Sequence, residues 1–215
     1  INQTTNDGDG ASDTLISIEN VTGSTSNDNI TGDANGNIFD GNAGNDTIFG
    51  GGGSDLFRAS DDADTLDGGT GIDEVDYSLL GGVNFINVTL NGAANATVTV
   101  DGGTNDTVRN IENVTGSAGN DTIVGDALTN VLVGLAGDDT LSGAGGIDTL
   151  DGGAGTDTAD YSAAALGVTV DLLAGQATND GDGASDTLVG IEDVTGSGNN
   201  DTIGGDNAVN RLEGN

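Results

Sequence analysis

The chain repeats every nine residues, and each unit carries an acid or its amide at one fixed place. From Asn27 the frame runs without a gap through NDNITGDAN, GNIFDGNAG, NDTIFGGGG, SDLFRASDD, ADTLDGGTG and IDEVDYSLL. It resumes at Asn120 with NDTIVGDAL, TNVLVGLAG, DDTLSGAGG, IDTLDGGAG and TDTADYSAA, and again at Asn200. The polar position falls at 28, 37, 46, 55, 64 and 73, then at 121, 130, 139, 148 and 157, then at 201 and 210, with an apolar residue two places later. A short fixed period points to a solenoid, in which a unit buries its apolar side chain only against its neighbours.

A longer period lies above this one. Thr5–Thr14 reads TNDGDGASDT, and Thr178–Thr187 repeats the same ten residues. The phrase I-E-N/D-V-T-G-S recurs at Ile18, Ile111 and Ile191. Between the nonapeptide blocks, Val83–Leu90, Ala96–Val100 and Gly167–Leu172 alternate apolar and polar residues, the pattern of half-buried strands. The frame reaches into these joins, because Glu19, Glu112 and Glu192 stand nine residues before Asp28, Asp121 and Asp201. The chain therefore divides into joining coils (1–26), a first block (27–78), wider joining coils (79–119), a second block (120–162), further joining coils (163–199) and the start of a third block (200–215), read as one continuous solenoid. Both ends fall inside a super-repeat, the expectation for an excerpt of a longer array.

Thirty-six acids face three bases, a formal charge of −33, and aromatic residues make up 3%. A compact form of such a chain repels itself, and one apolar residue in nine is a thin core against the entropy of ordering the backbone. Bound cations are the natural remedy. With no Cys and no His, the usual zinc, copper and iron sites are excluded and oxygen ligands remain. The charge argues against nucleic-acid binding, and no apolar run is long enough to insert in a membrane.

The units Gly68–Asp76 (GGTGIDEVD), Gly152–Asp160 (GGAGTDTAD), Gly50–Arg58 (GGGGSDLFR) and Gly143–Asp151 (GAGGIDTLD) share a glycine-rich turn, an aspartate and a three-residue strand. Turns two units apart lie on one edge, about 4.8 Å from each other. Their carbonyls and aspartates can enclose a hard cation with about six or more oxygens at ~2.4 Å, which is calcium chemistry. These units resemble the hemolysin-type (RTX) calcium-binding nonapeptide repeat, G-G-x-G-x-D-x-U-x with U a large apolar residue. The fold expected is all-β, a right-handed parallel β-roll (a β-solenoid) with calcium-binding turns.

The resemblance implies several Ca2+ ions held by Asp28 with Asp46, Asp46 with Asp64, Asp55 with Asp73, Asp121 with Asp139, and Asp139 with Asp157. It adds Asp148 and Asp201 as further ligands, and the carbonyls of Gly51, Gly53, Gly69, Gly71, Gly137, Gly146, Gly153 and Gly155. Asn37, Asn130 and Asn210 depart from the pattern, so their sites should bind weakly or stay empty. The turn before Asp64, A-S-D-D, lacks the glycines and puts that site in doubt.

Blander roles fit the remaining motifs. The acids at position nine, Asp40, Asp67, Asp76, Asp151 and Asp160, read as solvated surface charge. D-Y-S at Asp76–Ser78 and Asp160–Ser162 has no His or Lys to activate it; its tyrosine reads as an aromatic plug where a block gives way to a join. No catalytic constellation appears. The expected role is a calcium-dependent spacer segment of a secreted bacterial adhesin, surface-layer or matrix-fibre protein. Calcium is the expected partner, together with end-to-end or side-by-side self-association, and the resemblance implies type I secretion. The alternatives are the calcium-binding tail of a secreted enzyme and a polysaccharide-binding module. An ice-binding face is a weaker idea, because the Thr array around Val98 is short and irregular.

Overall fold

The computed structural model describes residues 18–81, 85–101 and 105–215, together with the strands Asn2–Thr4 and Asp13–Leu15. Twenty-four short strands and no helix occur among the described residues, in two sheets of thirteen and eleven strands that share one core. Except in the last unit, where Leu212–Glu213 is a two-residue strand and Leu212 is exposed, each x-U-x triplet makes one three-residue strand or the start of a longer one. Its central side chain points inward and its neighbours lie nearer solvent, as the alternation of a strand demands.

Successive units fall on opposite walls, so residues eighteen apart pair in parallel. Ile30, Ile48 and Leu66 stack along one wall. Phe39, Phe57 and Val75 stack along the other, with the two phenyl rings 5.3 Å apart. In the second block Ile123, Leu141 and Ala159 form one wall, and Leu132 and Leu150 the other. All are buried, which is the parallel β-roll expected.

The joins, expected as wider coils of the same solenoid, contain antiparallel strands. Asp106–Arg109 pairs in parallel with Thr65–Thr70, Ala96–Val100 runs antiparallel beside it, and Ile86–Thr89 runs antiparallel to that and parallel to Thr122–Val124. The join is thus a three-stranded antiparallel meander set into one wall. Its strands have four or five residues and bury alternate side chains, Ile86 and Val88, then Ala96, Val98 and Val100. Strands of that length, close in sequence, pair directly with their chain neighbours instead of crossing to the far wall. The expected strand Val83–Leu90 is observed as Ile86–Thr89, and residues 82–84 lie outside the described ones.

A second meander, Thr169–Asp171, Gln176–Asn179 and Asp186–Val189, follows the second block in the opposite wall. Seven strands separate Asp13–Leu15 from Ile86–Thr89, and six separate Asp106–Arg109 from Thr169–Asp171. Strands alternate walls, so an odd run delivers the next meander to the same wall and an even run to the other.

Candidate metal sites

The position-six acids form columns along the two edges of the roll. Most lend one carboxylate oxygen to the backbone N–H of the position-six residue one coil earlier, while Asp121 and Asp201 lend theirs to Ile86 and Val168 in the joins. Asp28 N–H donates to Asp46 Oδ1 and Asp46 N–H to Asp64 Oδ1, each at 2.8 Å. Asp55 N–H donates to Asp73 Oδ1 at 2.8 Å. In the second block Asp121 N–H reaches Asp139 Oδ1 at 2.7 Å, and Asp139 N–H reaches Asp157 Oδ1 at 2.8 Å. The structure thus brings together every aspartate pair that the sequence matched. Glutamates continue the columns into the joins, since Asp73 N–H donates to Glu112 Oε2 and Asp157 N–H to Glu192 Oε2.

The second oxygen divides the turns into two kinds. In open turns it accepts no hydrogen bond although it is buried: Oδ2 of Asp46, Asp55, Asp73, Asp139, Asp148, Asp157 and Asp201. Six of these seven follow a turn with positive φ at its second and fourth residues. These pairs are Asn42 and Gly44, Gly51 and Gly53, Gly69 and Gly71, Leu135 and Gly137, Ala144 and Gly146, and Gly153 and Gly155. Every glycine expected to supply a carbonyl lies in this set. Leu135 (φ 79°) and Ala144 (φ 64°) hold the same conformation without being glycine, at a cost of about 1–2 kcal/mol each.

In closed turns the second residue is Ser or Asp, its φ is not positive, and its N–H faces the acid. Ser24 N–H donates to Asp28 Oδ2 and Ser117 N–H to Asp121 Oδ2, each at 2.6 Å. Where asparagine replaces the acid, the amide closes the turn at both ends. Asp126 N–H donates to Asn130 Oδ1 (2.9 Å), while Asn130 Nδ2 donates to Glu112 O (2.7 Å). Asn210 is held in the same way by Asp206 N–H and Glu192 O. Asn37 Oδ1 takes the N–H of Asp33. At Asp64 the Ser60 hydroxyl reaches Oδ2 at 3.2 Å. Asp201 combines features of both kinds, for Ser197 Oγ donates to Oδ1 at 2.7 Å and Oδ2 has no partner.

Oxygen-lined cradles occur in turns of both kinds, and the open ones leave the carboxylate oxygen there without a donor. A methyl group added to Gly50 would meet Asp55 Oδ2 and the carbonyl of Gly68, one coil on; at Gly134 it would meet Asp139 Oδ2 and the Gly152 carbonyl; at the closed turn of Gly23 it would meet Asp28 Oδ2 and the Gly41 carbonyl. Burial, opposed by the accepted N–H and reinforced by neighbouring acids, raises the carboxyls of Asp46, Asp73 and Asp139 to about 6 and that of Asp148 to about 7. It raises those of Asp55 and Asp157 as well. An ionised, buried, half-satisfied carboxylate calls for a positive charge. Among the described residues no three acidic side chains converge on one point, so a cation here must draw on carbonyls, as the cradles allow.

The family model for the RTX calcium-binding nonapeptide repeat (4 copies) matches residues 7–48, 22–57, 40–75, 110–127 and 124–159, together more than half of the chain. This chain belongs to that family. RTX repeats bind Ca2+ in multiple turns, and the donor set of the open turns, hard oxygens with no nitrogen or sulfur, suits that ion. A comparison with curated proteins finds no match.

The nonapeptide frame overlooks two acids that cap the columns. Asp106 Oδ1 accepts Asp64 N–H at 2.8 Å, and its Oδ2 accepts the Tyr77 hydroxyl at 2.8 Å. Asp186 does the same for Asp148 N–H and the Tyr161 hydroxyl, both at 3.1 Å. The D-Y-S tyrosines do plug the core, being buried, and their hydroxyls close what would otherwise be open acids. The signal lay in D-T-V at Asp106 and D-T-L at Asp186, which repeat the D-x-U of the units. Asp67 departs from the solvated role expected of it. It is buried, pairs with Arg109 and accepts Asn110 Nδ2 at 2.7 Å, which ties the first block to its join.

Proposed function

We propose that this chain is a calcium-dependent spacer segment of an extracellular bacterial repeat protein, an adhesin, surface-layer or matrix-fibre component, and that it folds when it meets calcium outside the cell. The observation that carries the reading is the stack of buried, unpartnered carboxylate oxygens in the open turns. The proposed ligands are Asp46, Asp55, Asp73, Asp139, Asp148, Asp157 and Asp201, with carbonyls of the turns beside them. Calcium, when bound, supplies the charge that these oxygens lack. Asp28, Asp64 and Asp121 hold the columns through hydrogen bonds instead.

The chain's own contribution is to position oxygens and withhold donors. With a net charge of −33 and no ion, the columns repel themselves and the chain stays unfolded, a form suited to type I secretion. At millimolar calcium outside, binding to the folded form alone draws the equilibrium over. Long parallel columns in a repeating frame also suit end-to-end continuation in a longer array. Circular dichroism during a calcium titration is the test. Disorder in chelator and cooperative β-structure at millimolar calcium are expected; a chain that keeps its β-structure in chelator at neutral pH ends the proposal.

A further inference from the structure

The two walls of the roll turn different chemistry outward. Along the thirteen-stranded wall, the eight strands from Asn29–Thr31 to Thr140–Ser142 carry no outward charge apart from Asp67 and Arg109, which pair with each other. Threonines pave that face. Thr47, Thr65, Thr107 and Thr97 stand side by side in register. Thr99, on the same strand as Thr97, begins a second row that continues through Asn87, Thr122 and Thr140. The opposite wall turns Asp40, Arg58, Glu74, Asp76 and Asp151 outward instead.

The exposed rings gather on the same face. Of two tyrosines and four phenylalanines, Tyr77, Tyr161, Phe39 and Phe57 are buried, whereas Phe49 and Phe85 are 39% and 40% exposed. Phe49 lies on Thr47–Gly52, with the Arg109 guanidinium 5.6 Å from its ring centroid. Phe85 directly precedes Ile86–Thr89 and, by the alternation of the strand, shares the outer side of Asn87. The two rings bracket the threonines, four strand spacings or roughly 20 Å apart across the sheet.

The charge of the chain, −33, repels an anionic polymer, and a cationic one is drawn to the acid columns on the edges. Strands of three to five residues make the face roughly 10–17 Å wide, so two copies laid face to face would set those columns against each other. An ice lattice asks for one side chain at every rung, but the row beside Thr47 and Thr65 holds Phe49, Asp67 and Arg109. An uncharged, hydroxyl-rich chain meets none of these objections. Its hydroxyls match threonine, which both donates and accepts, and its apolar C–H faces match the rings. The sheet holds these side chains in place, so little freedom is lost on contact.

We propose that this wall is a binding face for a neutral polysaccharide in extended form. Phe49 and Phe85 are its stacking platforms, and the threonine rows between them are hydrogen-bonding rungs. The rungs recur about every 4.8 Å, close to the length of one sugar in such a chain.

Native affinity electrophoresis of the full chain in saturating calcium tests the face, with hydroxyethylcellulose or glucomannan cast into the gel. At least one polymer should retard the chain. Phe49→Ala and Phe85→Ala should each weaken retention about tenfold while circular dichroism stays that of the parent. No retardation by either polymer overturns the proposal, as does unchanged retention of the folded double variant. Should a ring variant lose its fold, Thr97→Glu decides, since it sets a charge between the rings at an exposed position. Retention of that variant equal to the parent's overturns the proposal, and loss of retention supports it. Thermal hysteresis or sedimentation as a dimer, either one abolished by Thr97→Glu, would assign the face to ice or to a second copy and overturn the proposal as well.

Discussion

Asp121 and Asp139 stand one coil apart in the same column, yet a calcium titration should tell them apart. Asp139→Asn removes the charge from an open cradle, and the chain should bind about one ion fewer. Asp121→Asn alters an acid whose Oδ2 already takes the Ser117 N–H, so calorimetric stoichiometry should not change; loss of an ion there would contradict the division into open and closed turns. The tyrosine caps offer a second check. Tyr161→Phe leaves Asp186 Oδ2 without its donor, and stability in saturating calcium should fall by about 1–3 kcal/mol in a urea titration. At this scale the aspartate columns were legible in the sequence, because a carboxylate every nine residues returns to the same edge at every second unit. Most closed turns were written there too, as Ser or Asp after the first glycine at Ser24, Asp33, Ser117, Asp126 and Asp206, with Ser197 the exception that leaves Asp201 Oδ2 bare. Reading it required knowing that the second residue turns its N–H toward the acid, a matter of the sign of φ that no spacing reveals.

Among the elements, three-residue strands follow directly from x-U-x. Each buries one side chain, and the wall is held by many such contributions. Leu132→Ala, at a fully buried position between Val114 and Leu150, should cost about 2–5 kcal/mol, read from the urea midpoint in saturating calcium. The joins were legible as strands but not as meanders. Alternation of apolar and polar residues fixes which side chains face inward and says nothing about whether a strand's neighbour runs parallel or antiparallel. The link between Arg109 and Asp67 was hidden for a related reason: the two are distant in sequence and meet only because Asp106–Arg109 lies beside Thr65–Thr70.

For the molecule as a whole, acid and calcium compete for the same oxygens. Burial raises the folded-state carboxyls of Asp46, Asp64, Asp73 and Asp139 to about 6 and that of Asp148 to about 7, above the unfolded value near 3.8. The ion-free folded form therefore binds more protons than the unfolded one between those values. Its stability is greatest below the unfolded value and is lost as pH rises through about 6–7. In chelator, β-structure measured by circular dichroism should grow as pH falls from neutral toward 5, and no growth would contradict the burial of these acids. In calcium the trend reverses, and apparent affinity should weaken below about pH 7 as protons occupy the cradles.

Odd and even runs of strands send the joins to the same or opposite flanks of the roll. Gaining or losing one nine-residue unit by slippage in the gene therefore preserves every cradle pairing beyond the cut while rotating the next meander half a turn about the long axis. A lineage of such chains can steer its lateral protrusions by counting units, with no change to the amino acids within any of them.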